Sequence, residues 1–268
     1  MKRWVASTRA FSLSCLLVFV GTSAPAYGQG RPLPIPPAAT VLTLSGLNFN
    51  LTNYMPRQFG GLFARPPYVL RKVSYPASLA TGSIARGVAA LDAALRETPG
   101  PVIVLAHSQG AQVASHWMRA HADDPAAPSG HRLVFLLTGN PLRAEGGYAI
   151  GRREVGGTIG QPTPVMSRWR VIDVARRYDG WADWPADTAN RRAVEAARAG
   201  MMRLHTRYDE VDLSDPTNTV WSRGTTTFVL TRETPPLRTL RPSEQTAVQA
   251  EIERAYRRPP DERGIAPP

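Results

Sequence analysis

The segment Pro101-Val-Ile-Val-Leu-Ala-His-Ser-Gln-Gly-Ala111 constrains the fold more than any other stretch of the chain. An apolar run of this kind reads as a buried strand. It leads directly into Ser108, flanked by Ala106 and Gly110, and apolar or small residues then recur at Ala111, Ala114, Trp117 and Met118 as on one face of a helix. A strand that turns sharply into a helix at a serine lifts the hydroxyl clear of the sheet, and only small neighbours let the flanking backbones come that close. The usual pattern is G-x-S-x-G, and alanine at 106 still presents only a methyl group. Ser108 is therefore a candidate nucleophile at a strand-to-helix elbow. Val220-Trp-Ser-Arg-Gly224 repeats the serine-to-glycine spacing, but Ser222 follows a polar loop rather than an apolar strand.

The rest of the chain alternates strand and helix patterns. Strands are expected at Thr40–Gly46, Tyr68–Tyr75, Val102–Leu105, Arg132–Thr138 and Trp169–Tyr178, and Val220–Thr231 contains another. Ile84, Val88, Leu91 and Leu95 mark one face of a helix over Ser83–Arg96; further helices are expected within Thr188–Leu204 and Ser243–Tyr256. That alternation predicts an α/β domain over residues 40–256, its mostly parallel sheet covered by helices on both faces, and the elbow points to the α/β-hydrolase architecture. Residues 142–166, rich in glycine and without clear periodicity, read either as a lid or substrate flap or as a plain surface loop.

The first 28 residues read as a secretory signal. Lys2, Arg3 and Arg9 precede an apolar stretch from Phe11 to Val20, and small residues offer cleavage near 26–28. The apolar core is shorter than the roughly 20 residues of a membrane-spanning helix, so a protein exported to the medium or the cell envelope is expected. Residues 29–39 form a proline-rich lead, and 257–268 read as a flexible tail. Cys15, the only cysteine, lies in the leader, which excludes disulfides and thiolate chemistry from the remainder. The net charge is +11, or +8 without the three basic residues of the leader (11 − 3). The arginines are scattered rather than clustered, so nucleic-acid binding is not expected. Peripheral attraction to an anionic envelope surface is the modest alternative. No obligate protein partner is indicated.

In an α/β-hydrolase the acid and the histidine follow the serine in that order. Of the five histidines, only His205 lies far enough downstream. His107 occupies the variable position of the elbow, where its side chain should point away from the serine oxygen, and His116, His121 and His131 read as surface or boundary residues. The acid should follow the strand after Thr138. There Arg177-Tyr-Asp-Gly-Trp-Ala-Asp-Trp-Pro185 offers Asp179, which is preferred, and Asp183, which reads as structural. The oxyanion site should use the backbone N–H of Gln109, with its side chain assisting, and a second donor near Gly46, assigned to Leu47. Asp209, Asp212 and Asp215 lack a regular ligand spacing and read as loop-capping residues, so no metal and no cofactor are assigned.

With these residues in place the chain resembles the PE-PPE domain family of actinobacterial, cutinase-like serine hydrolases. The matching pieces are Ala106-His-Ser-Gln-Gly110, Leu137-Thr-Gly-Asn-Pro141 with Gly146-Gly147, Tyr178-Asp-Gly-Trp-Ala-Asp-Trp-Pro185 and Thr225-Thr-Thr-Phe-Val-Leu230. The resemblance implies esterase or lipase activity on acyl esters, with Ser108, an aspartate of the Tyr178 motif and His205 as the triad. It also implies acyl transfer between envelope lipids in some members. The chain departs from the family in having Leu44-Ser-Gly-Leu-Asn48 where a glycine-rich loop is usual, and in showing no PE or PPE module ahead of the domain, which suggests a stand-alone secreted form. Three readings follow: a secreted serine esterase or lipase, an acyltransferase of the same fold, and a non-catalytic lipid-binding or envelope-structural protein.

Overall fold

The computed structural model describes Met1 and residues 33–154, 157–237 and 242–259. The expected signal sequence lies outside these residues. The chain order is β1 (Ala39–Leu44), a short helix α1 (Gln58–Gly61) between single 3-10 turns, β2 (Tyr68–Lys72), α2 (Ser83–Glu97), β3 (Val102–His107) and α3 (Gln109–Ala120). Then follow β4 (Leu133–Thr138), β5 (Arg170–Arg176), α4 (Arg191–Arg203), β6 (Thr219–Arg223), β7 (Thr226–Thr231) and α5 (Pro242–Glu253). The strands form one sheet in the order β2-β1-β3-β4-β5-β7-β6, parallel throughout except for the β6–β7 pair.

Every residue of β3 and β4 is buried, as expected for central parallel strands covered on both faces. Alternate side chains divide between two cores. Leu42, Val104, Phe135 and Val171 cluster with Leu91, Leu95, Trp117 and Met118 of α2 and α3. Their neighbours Val41, Ile103, Leu136, Ile172 and Val229 cluster with Met55, Phe59, Phe63, Tyr208 and Val211. That second face is thus covered by short helical turns around residues 55–64 and 208–213 rather than by long helices. Gly110 explains how α3 comes so near β1: a Cβ there would lie 2.4 Å from the Leu44 carbonyl oxygen.

The boundaries depart from the sequence pattern for local reasons. β2 ends at Lys72, and Tyr75 instead turns inward and donates its hydroxyl to the Ser45 carbonyl at 2.5 Å. Helix α4 starts only at Arg191, because the Asn190 side chain caps it by accepting from the Ala193 amide at 3.0 Å. The stretch Val220–Thr231 holds two antiparallel strands joined at Gly224, whose φ of +61° makes the reversal. Ser222 sits exposed on β6, remote from any elbow geometry.

Arg257–Pro259, the described part of the stretch expected to be a flexible tail, include a residue that is firmly held. Arg258 donates to both oxygens of Asp183, at 2.5 and 3.0 Å, and to Glu253 at 2.9 Å, with its guanidinium 4.0 Å over the Tyr256 ring. A cation with two carboxylate partners and an aromatic face is held in place, and residues 260–268 lie outside the described set.

In this strand order the chain leaves β1 toward one edge of the sheet and returns to lay β3 on its other side. The loops after β1 and β3 therefore diverge and open a crevice at the carboxyl ends of the strands, where doubly wound sheets place their ligands. Gly46 and Ser108 stand on either side of that crevice.

Candidate active site

Ser108 sits at the end of β3 with φ 55° and ψ −117°, a conformation that a side-chain-bearing residue rarely adopts. The turn is held because the Ser108 amide donates to the Thr138 carbonyl at 3.0 Å while its own carbonyl accepts from Ala111 and Gln112 at the start of α3. Its hydroxyl faces His205, with Oγ 2.8 Å from Nε2.

His205 follows the last turn of α4, its amide bonded to the Gly200 carbonyl at 3.2 Å. Its Nδ1 lies 2.9 Å from Oδ2 and 3.1 Å from Oδ1 of Asp179, which is fully buried. A carboxylate can only accept, so Nδ1 carries the hydrogen and Nε2 turns its lone pair to Ser108. The structure brings Ser108, His205 and Asp179 together, and it is Asp179 rather than Asp183 that lies against the imidazole. Asp183 accepts from the Tyr178 amide at 2.8 Å and pairs with Arg258.

Two tyrosines that the sequence did not single out complete the surroundings. The Tyr208 hydroxyl donates to Asp179 Oδ2 at 2.8 Å and accepts from the Arg176 amide at 3.0 Å. Burial, and then the Asp179 charge, push its phenol well above the ordinary range, so it remains a donor. The Trp181 amide supplies a further hydrogen bond, to Oδ1 at 3.2 Å. Tyr54 accepts the Gly46 amide hydrogen at 2.6 Å and meets the His107 ring edge-on at 5.7 Å. Burial raises its phenol to about 12. Both sit in loops whose sequence has no periodicity, and the only signal was aromatic residues near the ends of predicted elements.

His107 is buried beside His205, their ring centroids 4.8 Å apart. Thr138 gives its hydroxyl hydrogen to Gln58 Oε1 at 3.1 Å, so it accepts from His107 Nδ1–H at 3.0 Å. Burial, and then the neighbouring His205, hold this imidazole well below the usual histidine range. It is a neutral wall for His205. The other histidines are boundary or surface residues: His121 stacks on Trp117 and pairs with Asp124, His131 is exposed, and His116 faces Glu154.

The expected oxyanion donors divide. The Gln109 amide heads α3 and has no acceptor among the described residues, nor has the Leu47 amide, whereas the Gly46 amide is spent on Tyr54. The Gln109 side chain is not available to assist. It is buried, donating to the Ser78 carbonyl at 2.9 Å and accepting from Ser83 at 3.2 Å. It thereby ties the elbow to the loop at residue 78. That loop is joined in turn to the β1 loop, where the Asn48 and Phe49 amides donate to the Ala77 carbonyl at 3.0 and 2.8 Å. Leu47, Phe49, Leu51 and Leu79 on these joined loops are exposed.

The described residues of 142–166 are anchored rather than loosely draped. Arg143 is buried and donates to Asp173 at 3.2 Å, while burial raises the Asp173 carboxyl against the opposing pull of Arg143. Farther along, buried Glu154 accepts from Gln112 at 2.7 Å and faces His116 at 2.9 Å, both on α3, and Thr163 meets Ser115 at 2.7 Å. Asp212 and Asp215 each accept from the amide and hydroxyl two residues on, the local turn-capping role expected of them.

The sheet, the elbow and the position of the crevice define an α/β-hydrolase fold, with Ser108, His205 and Asp179 joined in that order by hydrogen-bonding distances. The chain belongs to the PE-PPE domain family, whose model matches residues 66–253. It is 28% identical over 254 residues to the SL1278 acyltransferase Chp1 of Mycobacterium tuberculosis (strain ATCC 25618 / H37Rv), covering 85% of this chain and 58% of that protein. It is 32% identical over 166 residues to the Esterase PE16 of the same strain, covering 58% of this chain and 31% of that protein. Among solved structures, a cutinase-like protein from Cryptococcus sp. aligns with 64% of this chain and 93% of its own at 16% identity, with a TM-score of 0.40.

Proposed function

We propose that the protein is an exported serine hydrolase of acyl esters, with Ser108 as nucleophile, His205 as general base and Asp179 as its orienting acid. The observation that carries this reading is the unbroken relay from Ser108 Oγ through His205 to the buried Asp179, at 2.8 and 2.9 Å, on a serine with φ 55°.

In the first step the Ser108 oxygen forms a bond to the ester carbonyl carbon, the C=O π pair moves onto the carbonyl oxygen, and the serine proton passes to His205 Nε2. The Gln109 amide donates to the new oxyanion. Collapse of the intermediate expels the alcohol, which takes the proton from Nε2 and leaves an acyl group on Ser108. Water activated by His205 then releases the acid and restores the serine. Asp179, accepting from Nδ1–H, holds the tautomer. The exposed apolar side chains Leu47, Phe49, Leu51 and Leu79, on the loops tied to the elbow, favour esters with a substantial acyl chain over small polar ones.

A second reading replaces water with an alcohol acceptor in the last step. It is favoured by the similarity to the SL1278 acyltransferase Chp1. One assay series tests both. Hydrolysis of chromogenic acyl esters of increasing chain length, by wild type beside Ser108→Ala, should show turnover lost in the variant and a preference for longer chains. Added acceptor alcohol should take most of the product as a new ester, even at concentrations far below that of water, if transfer is the activity, whereas a hydrolase passes it only a small share. Absence of turnover in folded wild type would leave a non-catalytic lipid-binding protein as the better account.

A further inference from the structure

We propose that the Tyr54 hydroxyl is a catalytic residue, donating a hydrogen bond to the oxyanion opposite the Gln109 amide. The inference rests on the acyl-ester reading of the site.

Three observations carry it. First, one of the two backbone donors at the end of β1 is not free, because the Gly46 amide hydrogen is already given to the Tyr54 oxygen at 2.6 Å, which sets that oxygen beside Leu47, the donor expected from the sequence. Second, that phenol is on the reacting side of Gly46. A Cβ built on Gly46 would lie 2.7 Å from Ser108 Cβ and 3.0 Å from the Tyr54 oxygen, so both groups crowd one point in the crevice. Third, a phenol that accepts at its lone pair still has one hydrogen to give, and among the described residues no acceptor receives it.

The accepted bond and the edge-on contact with His107 fix where the ring stands, so the remaining O–H is oriented before substrate arrives. Preorganised donors of this kind act without reorganisation at the moment charge develops. With its phenol pushed up to about 12 by burial, Tyr54 keeps its proton across the working range. During attack it donates a hydrogen bond only: the carbonyl π pair moves onto the substrate oxygen, the serine proton goes to His205, and no bond of Tyr54 is broken. A glycine at 46 follows from the same arrangement, because any side chain there would occupy the space between the nucleophile and its donor.

The test compares wild type, Tyr54→Phe and Ser108→Ala on one chromogenic acyl ester, together with binding of an alkyl trifluoromethyl ketone, which forms a hemiketal oxyanion on a reactive serine. The expected result for Tyr54→Phe is a fall in kcat on the order of 10²-fold with KM nearly unchanged, and a matching loss of ketone affinity. Because this variant also strips the Gly46 amide of its acceptor, Tyr54→3,5-difluorotyrosine provides the second arm. It keeps the acceptor and lowers the phenol pKa, so activity should persist at neutral pH and fall away at a lower alkaline pH than in wild type. If Tyr54→Phe retains kcat and ketone affinity while Ser108→Ala abolishes turnover, the Tyr54 proposal alone is overturned and the Leu47 amide becomes the second donor. An alkaline limb unmoved by fluorination would overturn it as well. If wild type shows no Ser108-dependent turnover, the hydrolase reading and this one fall together.

Discussion

The Tyr208 hydroxyl donates to Asp179 Oδ2 at 2.8 Å, on the same carboxylate that holds His205. The acid is therefore fixed from two sides, by a residue of the loop after α4 and by the imidazole it orients. Tyr208→Phe should lower stability by about 1.5–3 kcal/mol, the worth of a hydrogen bond to a charged group. Its effect on kcat should be far smaller than the roughly 10⁴-fold expected of Asp179→Asn, which leaves His205 in the wrong tautomer. Urea unfolding and ester turnover of the two variants measure the contrast, and equal losses of kcat would show that Tyr208 does more than position the acid.

Arg143 and Asp173 form an ion pair with both side chains only 1% exposed, and Arg143 also donates to the Asp173 carbonyl at 2.7 Å. Removing one member strands a buried charge. Arg143→Met should cost about 3–5 kcal/mol, whereas Arg143→Met with Asp173→Leu should recover most of the loss, because the desolvation penalty then disappears with the pair. Denaturant midpoints of the single and double variants decide the matter.

His107 is held well below the usual histidine range by burial and by His205. Its native pKa is thus lower than the unfolded value of about 6.5, so below that pH the unfolded chain binds a proton that the native chain does not. Stability from this group is complete above pH 6.5 and is lost as pH falls toward the depressed native value, at about 1.4 kcal/mol per pH unit. His107→Asn, which keeps a donor toward Thr138, should flatten the slope between pH 6.5 and 5.5. An identical slope in the variant would place the effect elsewhere.

Glu154 pins the middle of 142–166 to α3 through Gln112 and His116. Glu154→Ala leaves those two donors facing an emptied space, and the adjacent Arg152 and Arg153 should become open to trypsin under native conditions. Faster cleavage at these bonds, with the rest of the domain intact, is the expected outcome of limited proteolysis. Unchanged cleavage would mean that Ser115 and Thr163 hold the segment unaided.

What could be read from the sequence was what the backbone pattern encodes. The run Val102–His107 and the small residues around Ser108 announce the elbow, because close approach of strand and helix excludes larger side chains. The fixed order of acid and histidine then left His205 alone downstream. Tyr54 and Tyr208 were hidden because they work from irregular loops, where no periodicity marks which way a side chain turns. The hairpin within 219–231 was hidden for another reason: β-branched residues continue on both sides of Gly224, and one run of them looks like one strand. The ion pairs of Arg258 depend on Asp183 and Glu253, whose closeness arises only when α5 docks.

The central claim is that Ser108 becomes acylated. Its most direct test is mass spectrometry of the intact protein and its peptides after rapid acid quench during turnover of an activated long-chain ester. The account predicts an increment of one acyl group on the peptide containing Ser108, absent in Ser108→Ala and accumulating in His205→Ala only at a greatly reduced rate. Steady turnover with no acyl adduct on Ser108, or an adduct on another residue that persists in Ser108→Ala, would contradict it.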